Sequence, residues 1–251
     1  MKDWLLSIVW YGSMLSGLLA SLAIVRPLPR LGLASRARGG VLLAMSALLL
    51  AMNAFIAPVS SRSAATASSA IDRVMPVYQF REFHERSVRA PLAQVWSAIH
   101  DVTAAEISLF QTFTAIRRFG RSGRESILNA PADEPILAVA TRTGFQLLAQ
   151  TDTEVVVGTF VAGVPGSVPR SALSDPAAFA RASAPGLVKA TLNFRVEAAS
   201  ASQTRLTTET RVFAADAQGL RQFTPYWRTI FPGSWMLRVT WLDAIARRAE
   251  R

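Results

Sequence analysis

The stretch from Arg195 to Arg251, RVEAASASQTRLTTETRVFAADAQGLRQFTPYWRTIFPGSWMLRVTWLDAIARRAER, constrains this chain more than any other. Two β-prone runs, 187–197 and 204–213, alternate polar and apolar residues and form a hairpin. They lead at once into an aromatic-rich segment with helical spacing, predicted to be a helix from Asp216 to about Arg248. A helix of that length must bury its apolar stripe, and the nearest surface is the sheet that owns the hairpin. The expected class is therefore α+β, an antiparallel sheet with a long C-terminal helix across it. Pro232-Gly233 interrupts the helical run. Proline lacks the N–H and clashes with the carbonyl four residues back, so a kink or break is expected there.

Apolar residues make up 51% of the chain and its mean hydropathy is +0.27, which directs attention to membrane spans. Residues 4–25 carry no charge. At ~1.5 Å per residue such a run crosses the ~30 Å hydrocarbon core. Residues 41–57 form a second apolar run before Pro58, also read as a span, with a buried core helix as the alternative. The connection between them carries Arg26, Arg30, Arg36 and Arg38, and positive charge next to spans stays on the cytoplasmic side. A two-pass membrane protein follows, with its large C-terminal part expected on the extracytoplasmic side. Residues 60–70, SSRSAATASSA, read as a flexible tether. The expected division is a transmembrane hairpin over 1–58, a linker over 59–76 and a globular domain over 77–251.

Within that domain, residues 78–89 predict a strand with neither face purely apolar, hence not a central one. Pro91 opens a helix through Val102, and Thr103-Ala-Ala-Glu106 is a capping box that predicts a second helix ending near Phe119. Strands are expected at 136–141, 144–150 and 154–161. Residues 163–185 hold four prolines and read as a long loop, with a helical turn only at 175–181; it is either a lid or a solvated insertion.

The chain has no cysteine and two histidines, His84 and His100, which excludes thiolate and three-histidine metal centres. No G-x-G-x-x-G or G-x-S-x-G occurs, and neither a cofactor nor a metal is expected. The net charge of +10 comes from scattered arginines, with one cluster at Arg117, Arg118, Arg121 and Arg124, rather than from a contiguous stripe. Nucleic acid is therefore not an expected partner. Glu82 and His84 share a strand face and, with Glu106 or Asp101, are candidates for acid–base chemistry; the plainer reading is a solvated edge-strand face. His100 and Asp101 read as a helix-end or surface pair. Lys189, Asn193 and Arg195 on one strand, and Arg205, Thr207, Glu209 and Arg211 on its partner, read as cross-strand pairs on the outer side of the sheet.

The segments HERSVRAPLAQVWSAIHDVTAAEI (84–107), RTGFQLL (142–148), EVVVGTF (154–160), PGLVKATLNFRV (185–196), TRLTTETRV (204–212) and RQFTPYWRTIFPGSWMLRVTWLDAIARRAE (221–250) together resemble the SRPBCC, or START-like, superfamily. The likeness covers about residues 78–250. It implies a helix-grip fold, in which the sheet curls around the last helix, and an internal cavity for a lipid, sterol, polyketide or other hydrophobic small molecule. Ala162-Gly163-Val164-Pro165 departs from the pattern where relatives tend to place an aromatic, which implies a differently shaped mouth. Candidate ligand contacts are Phe145, Leu147, Phe160, Leu192, Phe194, Thr208, Thr210, Phe223, Tyr226, Trp227 and Trp235, and the candidate catalytic residues are His84 and Glu106. A cyclase- or hydrolase-like enzyme and a structural partner domain of a membrane complex remain alternatives to a binding module.

Overall fold

The computed structural model describes residues 2–56, 60–64, 68–117, 126–163 and 175–251. The end of the second apolar run, the arginines at 118, 121 and 124, and residues 164–174 of the long loop lie outside them. The chain divides into two compact units: Met1–Val59 with Arg221–Pro232, and Ser60–Leu220 with Gly233–Arg251.

The first unit contains α1 (Lys2–Val25) and α2 (Arg36–Ala51), extended by a π turn over Met52–Ile56. Small residues make the contact between the two helices. Ser7, Ser13, Ala20 and Ala23 of α1 are buried, as are Gly39 and Ser46 of α2. The hydroxyls of Ser16 and Ser46 meet at 2.8 Å. A Cβ on Gly39 would stand 3.1 Å from the Ala20 carbonyl oxygen, so glycine lets the backbones approach. The large side chains point away from the seam: Leu15, Leu18, Leu22, Val41 and Leu48 are all more than half exposed. Both apolar helices are long enough to cross a membrane.

The C-terminal helix α8 (Ala217–Ala249) contributes its middle, Arg221–Pro232, to this unit. Of the kink or break expected near Pro232, the break does not occur: the helix continues through Pro225 and Pro232. Pro232 has no N–H for the Arg228 carbonyl, and the Ser7 hydroxyl donates to that oxygen instead, at 3.1 Å. One residue on, the Tyr11 hydroxyl donates to the Thr229 carbonyl at 2.5 Å, and the Trp10 indole N–H reaches Thr229 Oγ1 at 3.1 Å. Asp3 accepts from the Trp227 indole and the Arg228 guanidinium. At Pro232 the Ser7 hydroxyl thus replaces the donor that proline removes, which is how helices in packed surroundings tolerate it.

The second unit is built on a five-stranded antiparallel sheet. Its strands are β3 (Phe80–Val88), β4 (Gln146–Gln150), β5 (Glu154–Ala162), β6 (Val188–Ser200) and β7 (Gln203–Ala214), in the order β3-β7-β6-β5-β4. As its mixed faces predict, β3 is an edge strand. The predicted hairpin is β6–β7, with Leu192 opposite Thr210 and Phe194 opposite Thr208. Val155, Val157, Leu192, Phe194 and Leu206 pack with Trp241, Leu242 and Ile245 at the end of α8. Each such side chain contributes about 1.5–3 kcal/mol by leaving water. The class is α+β, with a long C-terminal helix on one sheet face.

Two local expectations fail. Residues 136–143 form a helix, α6 (Ile136–Thr143), rather than a strand; Pro135 precedes it, and Ile136, Leu137, Val139 and Ala140 are buried at helical spacing. A short apolar run does not reveal its period by itself. Glu106 does accept the Thr103 N–H at 2.9 Å, as a capping box requires, yet the chain turns and Leu109 takes φ 62° before the helix begins over Phe110–Arg117. The helix after Pro91 spans Leu92–Asp101 as expected.

The other sheet face is covered, not solvated. Where a tether was expected, Ala70–Val74 is a helix, α3, started by a reciprocal Ser69–Asp72 capping box, and Arg62–Ser63 pairs with Val77–Tyr78. Ile71, Met75 and Tyr78 pack there with Val156 of β5 and with Phe179 of α7 (Pro176–Arg181). The charges of the strands sit beneath this layer. Arg211 bonds Asp72 at 2.7 Å and Glu209 at 2.6 Å, and Arg81 bonds Glu209 at 2.7 Å. Glu154 accepts the N–H groups of Ala70 and Ile71 and the Asn193 amide, placing a carboxylate at the N-terminus of α3. Burial alone would raise the Asp72 and Glu209 pKa values, but the hydrogen bonds of Ser69 and Arg211 on the first, and of Arg81 and Arg211 on the second, hold both below the usual carboxylate range. Lys189 is buried too; its Nζ donates to the Phe179, Ala180 and Ala182 carbonyls at the end of α7, and desolvation pushes its pKa down to about 8.

Candidate functional site

Glu82 and His84 lie two residues apart on β3, so the pleat sends both to one face. That face is turned to α8. Glu82 is 3% exposed and His84 8%, which replaces the solvated reading with an interior one. His84 Nε2 and Glu82 Oε1 are 2.9 Å apart, and the Ser234 hydroxyl donates to Glu82 Oε2 at 2.8 Å. The Trp235 ring stands edge-on to the imidazole at 5.5 Å. Thr210, opposite Glu82 in register, has a buried hydroxyl with no hydrogen bond.

The chemistry follows from which atoms are taken. A carboxylate that accepts the Nε2–H orients the ring, fixes its tautomer and leaves Nδ1 as a lone-pair acceptor. Nδ1 has no hydrogen-bond partner among the described residues. Along α8, residues 232–240 keep partial or full exposure, Ser234, Trp235 and Leu237 included, whereas Trp241, Leu242 and Ile245 are buried.

Glu106 stands apart from this cluster. It joins the Thr103 turn to Arg248 at 2.9 Å; burial favours its neutral form, but the Thr103 N–H and Arg248 outweigh that and lower its pKa. Its role is to clamp the end of α8. His100 Nδ1 bonds the Trp96 carbonyl at 3.0 Å within its own helix.

The remaining candidates scatter. Leu192 and Phe194 are core, with the Phe194 ring tilted against Trp241, and Thr208 donates to the Asn193 carbonyl. Phe223, Tyr226 and Trp227 belong to the unit of the N-terminal helices. Leu147 is largely exposed. Phe145 and Phe160 line a cavity of about 240 Å³ at the β4 edge, with Phe179 and Gln146. Ser234 and Gln146 were missed by sequence reasoning, since a serine after a proline and a glutamine in a strand carry no local signal of what they will face.

No family model matches the chain, and no curated protein matches it. Among solved structures it is similar to the Zhui aromatase/cyclase from Streptomyces sp. R1128, at 15% identity and a TM-score of 0.30, over 68% of this chain and 94% of that one.

Proposed function

We propose that this chain is a membrane-anchored START-like domain that binds an apolar small molecule carrying a hydroxyl or similar hydrogen-bond donor. One observation carries the reading: a buried Glu82–His84 pair on the α8 side of the sheet, held by the Ser234 hydroxyl and set against the Trp235 ring. An apolar pocket with one oriented polar group is the usual design of a small-molecule site. The inverted packing of α1 and α2, small residues inside and leucines outside, supports the anchor, because lipid rather than water suits that surface. The arginines between the two helices favour a cytoplasmic connection and an extracytoplasmic sheet unit.

The test is native mass spectrometry of the full chain from mild detergent, with solvent extraction of whatever accompanies it. A co-purifying hydrophobic molecule, reduced several-fold in occupancy by His84→Ala and by Glu82→Gln, is the expected result. A chain that emerges empty and takes up nothing from a total lipid extract defeats the reading. The same pair also favours a second reading, proton transfer to and from the bound molecule by His84. Turnover of the identified ligand that follows a single ionisation and disappears in His84→Gln separates an enzyme from a carrier.

A further inference from the structure

The cavity at the β4 edge is a different place from the Glu82–His84 pair, which lies on β3 at the opposite edge of the sheet. Its volume of about 240 Å³ exceeds the ~150 Å³ in which a benzene-sized ring is held, so it has room for one or two fused rings. Phe145, Phe160 and Phe179 give it aromatic walls, with Phe160 and Phe179 at 5.0 Å between centroids. Gly158 keeps that shape: a Cβ there would meet the Phe179 ring at 2.8 Å and collide with Leu148.

Gln146 lines the same cavity. Both its amide nitrogen and its amide oxygen are enclosed, and neither has a hydrogen-bond partner among the described residues. A primary amide left without donor or acceptor partners inside an aromatic-walled slot is costly, since the desolvation of each group goes unreturned. The complement of a carboxamide is an edge with one donor beside one acceptor.

We infer that this cavity is a second ligand site, distinct from the one on the α8 face, for a flat ring system bearing a lactam, cis-amide or carboxylic-acid edge that pairs with the Gln146 amide. The aromatic walls take the ring, and the paired hydrogen bonds select the edge.

The experiment uses the full chain in lipid nanodiscs, empty nanodiscs as the blank, and calorimetric titration with two probes. Carbostyril is a fused-ring lactam with both donor and acceptor; N-methylcarbostyril keeps the ring and the acceptor and lacks the donor. Carbostyril is expected to bind at least tenfold more tightly, and Gln146→Leu to abolish that preference. The ligand-free Gln146→Leu protein is expected to melt no lower than the parent, since the change removes two unpaired polar groups and keeps the volume. Equal binding of the two probes, a preference that survives Gln146→Leu, or a lowered melting temperature overturns the assignment. Failure here is separate from failure of the α8-face reading, because one is read with carbostyril and the other from the co-purified molecule.

Discussion

The two units of this protein bury opposite kinds of residue. In the helical hairpin the interior is Ser13, Ala20, Ala23, Gly39 and Ser46, while Leu15, Leu18, Leu22 and Leu48 face out. In the sheet unit the interior is Phe194, Leu206, Trp241 and Ile245, and even its second face hides its charges in ion pairs or hydrogen bonds. Under the membrane reading proposed above, the difference follows from what each surface meets. Water drives large apolar groups together, whereas in hydrocarbon that force vanishes, and close packing with hydroxyl contacts takes over.

The largest effect expected from testing this contrast is in the sheet unit. Arg211→Leu leaves Asp72 and Glu209 buried without their shared cation, and removing one partner of such a network costs about 3–5 kcal/mol. Chemical denaturation reads it; a loss under about 1 kcal/mol would mean the layer under α3 is wet. The pH dependence has a definite sign. Both carboxylates have folded pKa values below their unfolded ones, so their contribution is complete above the ordinary carboxylate range. It falls away as the pH drops below about 4. The Arg211→Leu protein should keep only a reduced acid-sensitive component, since Ser69 still bonds Asp72 and Arg81 still bonds Glu209.

Next comes the hairpin. Leu18→Arg should cost about 3 kcal/mol of insertion if the helix lies in lipid, moving the chain out of the membrane pellet. On an exposed helix in water the same change is worth within about 0.5 kcal/mol. Unchanged fractionation would break the contrast between the two units.

Lys189→Met probes the buried face more finely. The folded pKa of about 8 lies below the ordinary lysine value of 10.5, so below pH 8 both states are charged and burial of the charge is a constant cost. Between pH 8 and 10.5 the unfolded chain holds the extra proton, and the native state gains stability as pH rises, by up to about 3 kcal/mol. The advantage of methionine over lysine should therefore shrink across that window, as measured by urea midpoints. An advantage independent of pH would show that Lys189 stays charged.

The smallest effect concerns the proline segment. Ser7→Ala with Tyr11→Phe removes the donors for the Arg228 and Thr229 carbonyls, at about 1 kcal/mol each. Spin labels placed on α8 before Pro225 and after Gly233 should then report a changed distance. An unchanged distance would show that these hydroxyls do not set the course of the helix.

Much of this was legible in the residues. The β6–β7 hairpin, the long helix after Asp216, the edge character of β3 and the two apolar helices follow from periodicity, because alternation and 3.6-residue spacing are local properties. The shared face of Glu82 and His84 was equally readable, since a strand pleat admits no other arrangement. Its meaning was not. Whether that face meets water or α8 depends on what packs against β3, and Ser234 lies more than a hundred residues further along the chain.

Left to itself, the chain fixes which elements form and which side chains share a side. Tertiary structure alone decided that α3 and α7 cover the charges of the outer sheet face, that α8 passes Pro232 on the Ser7 hydroxyl of α1, and that Gln146 closes on a cavity. The reason is physical: local sequence sets backbone preference over a few residues. Desolvation, the satisfaction of a proline-freed carbonyl and the volume between elements depend on groups that only folding brings together.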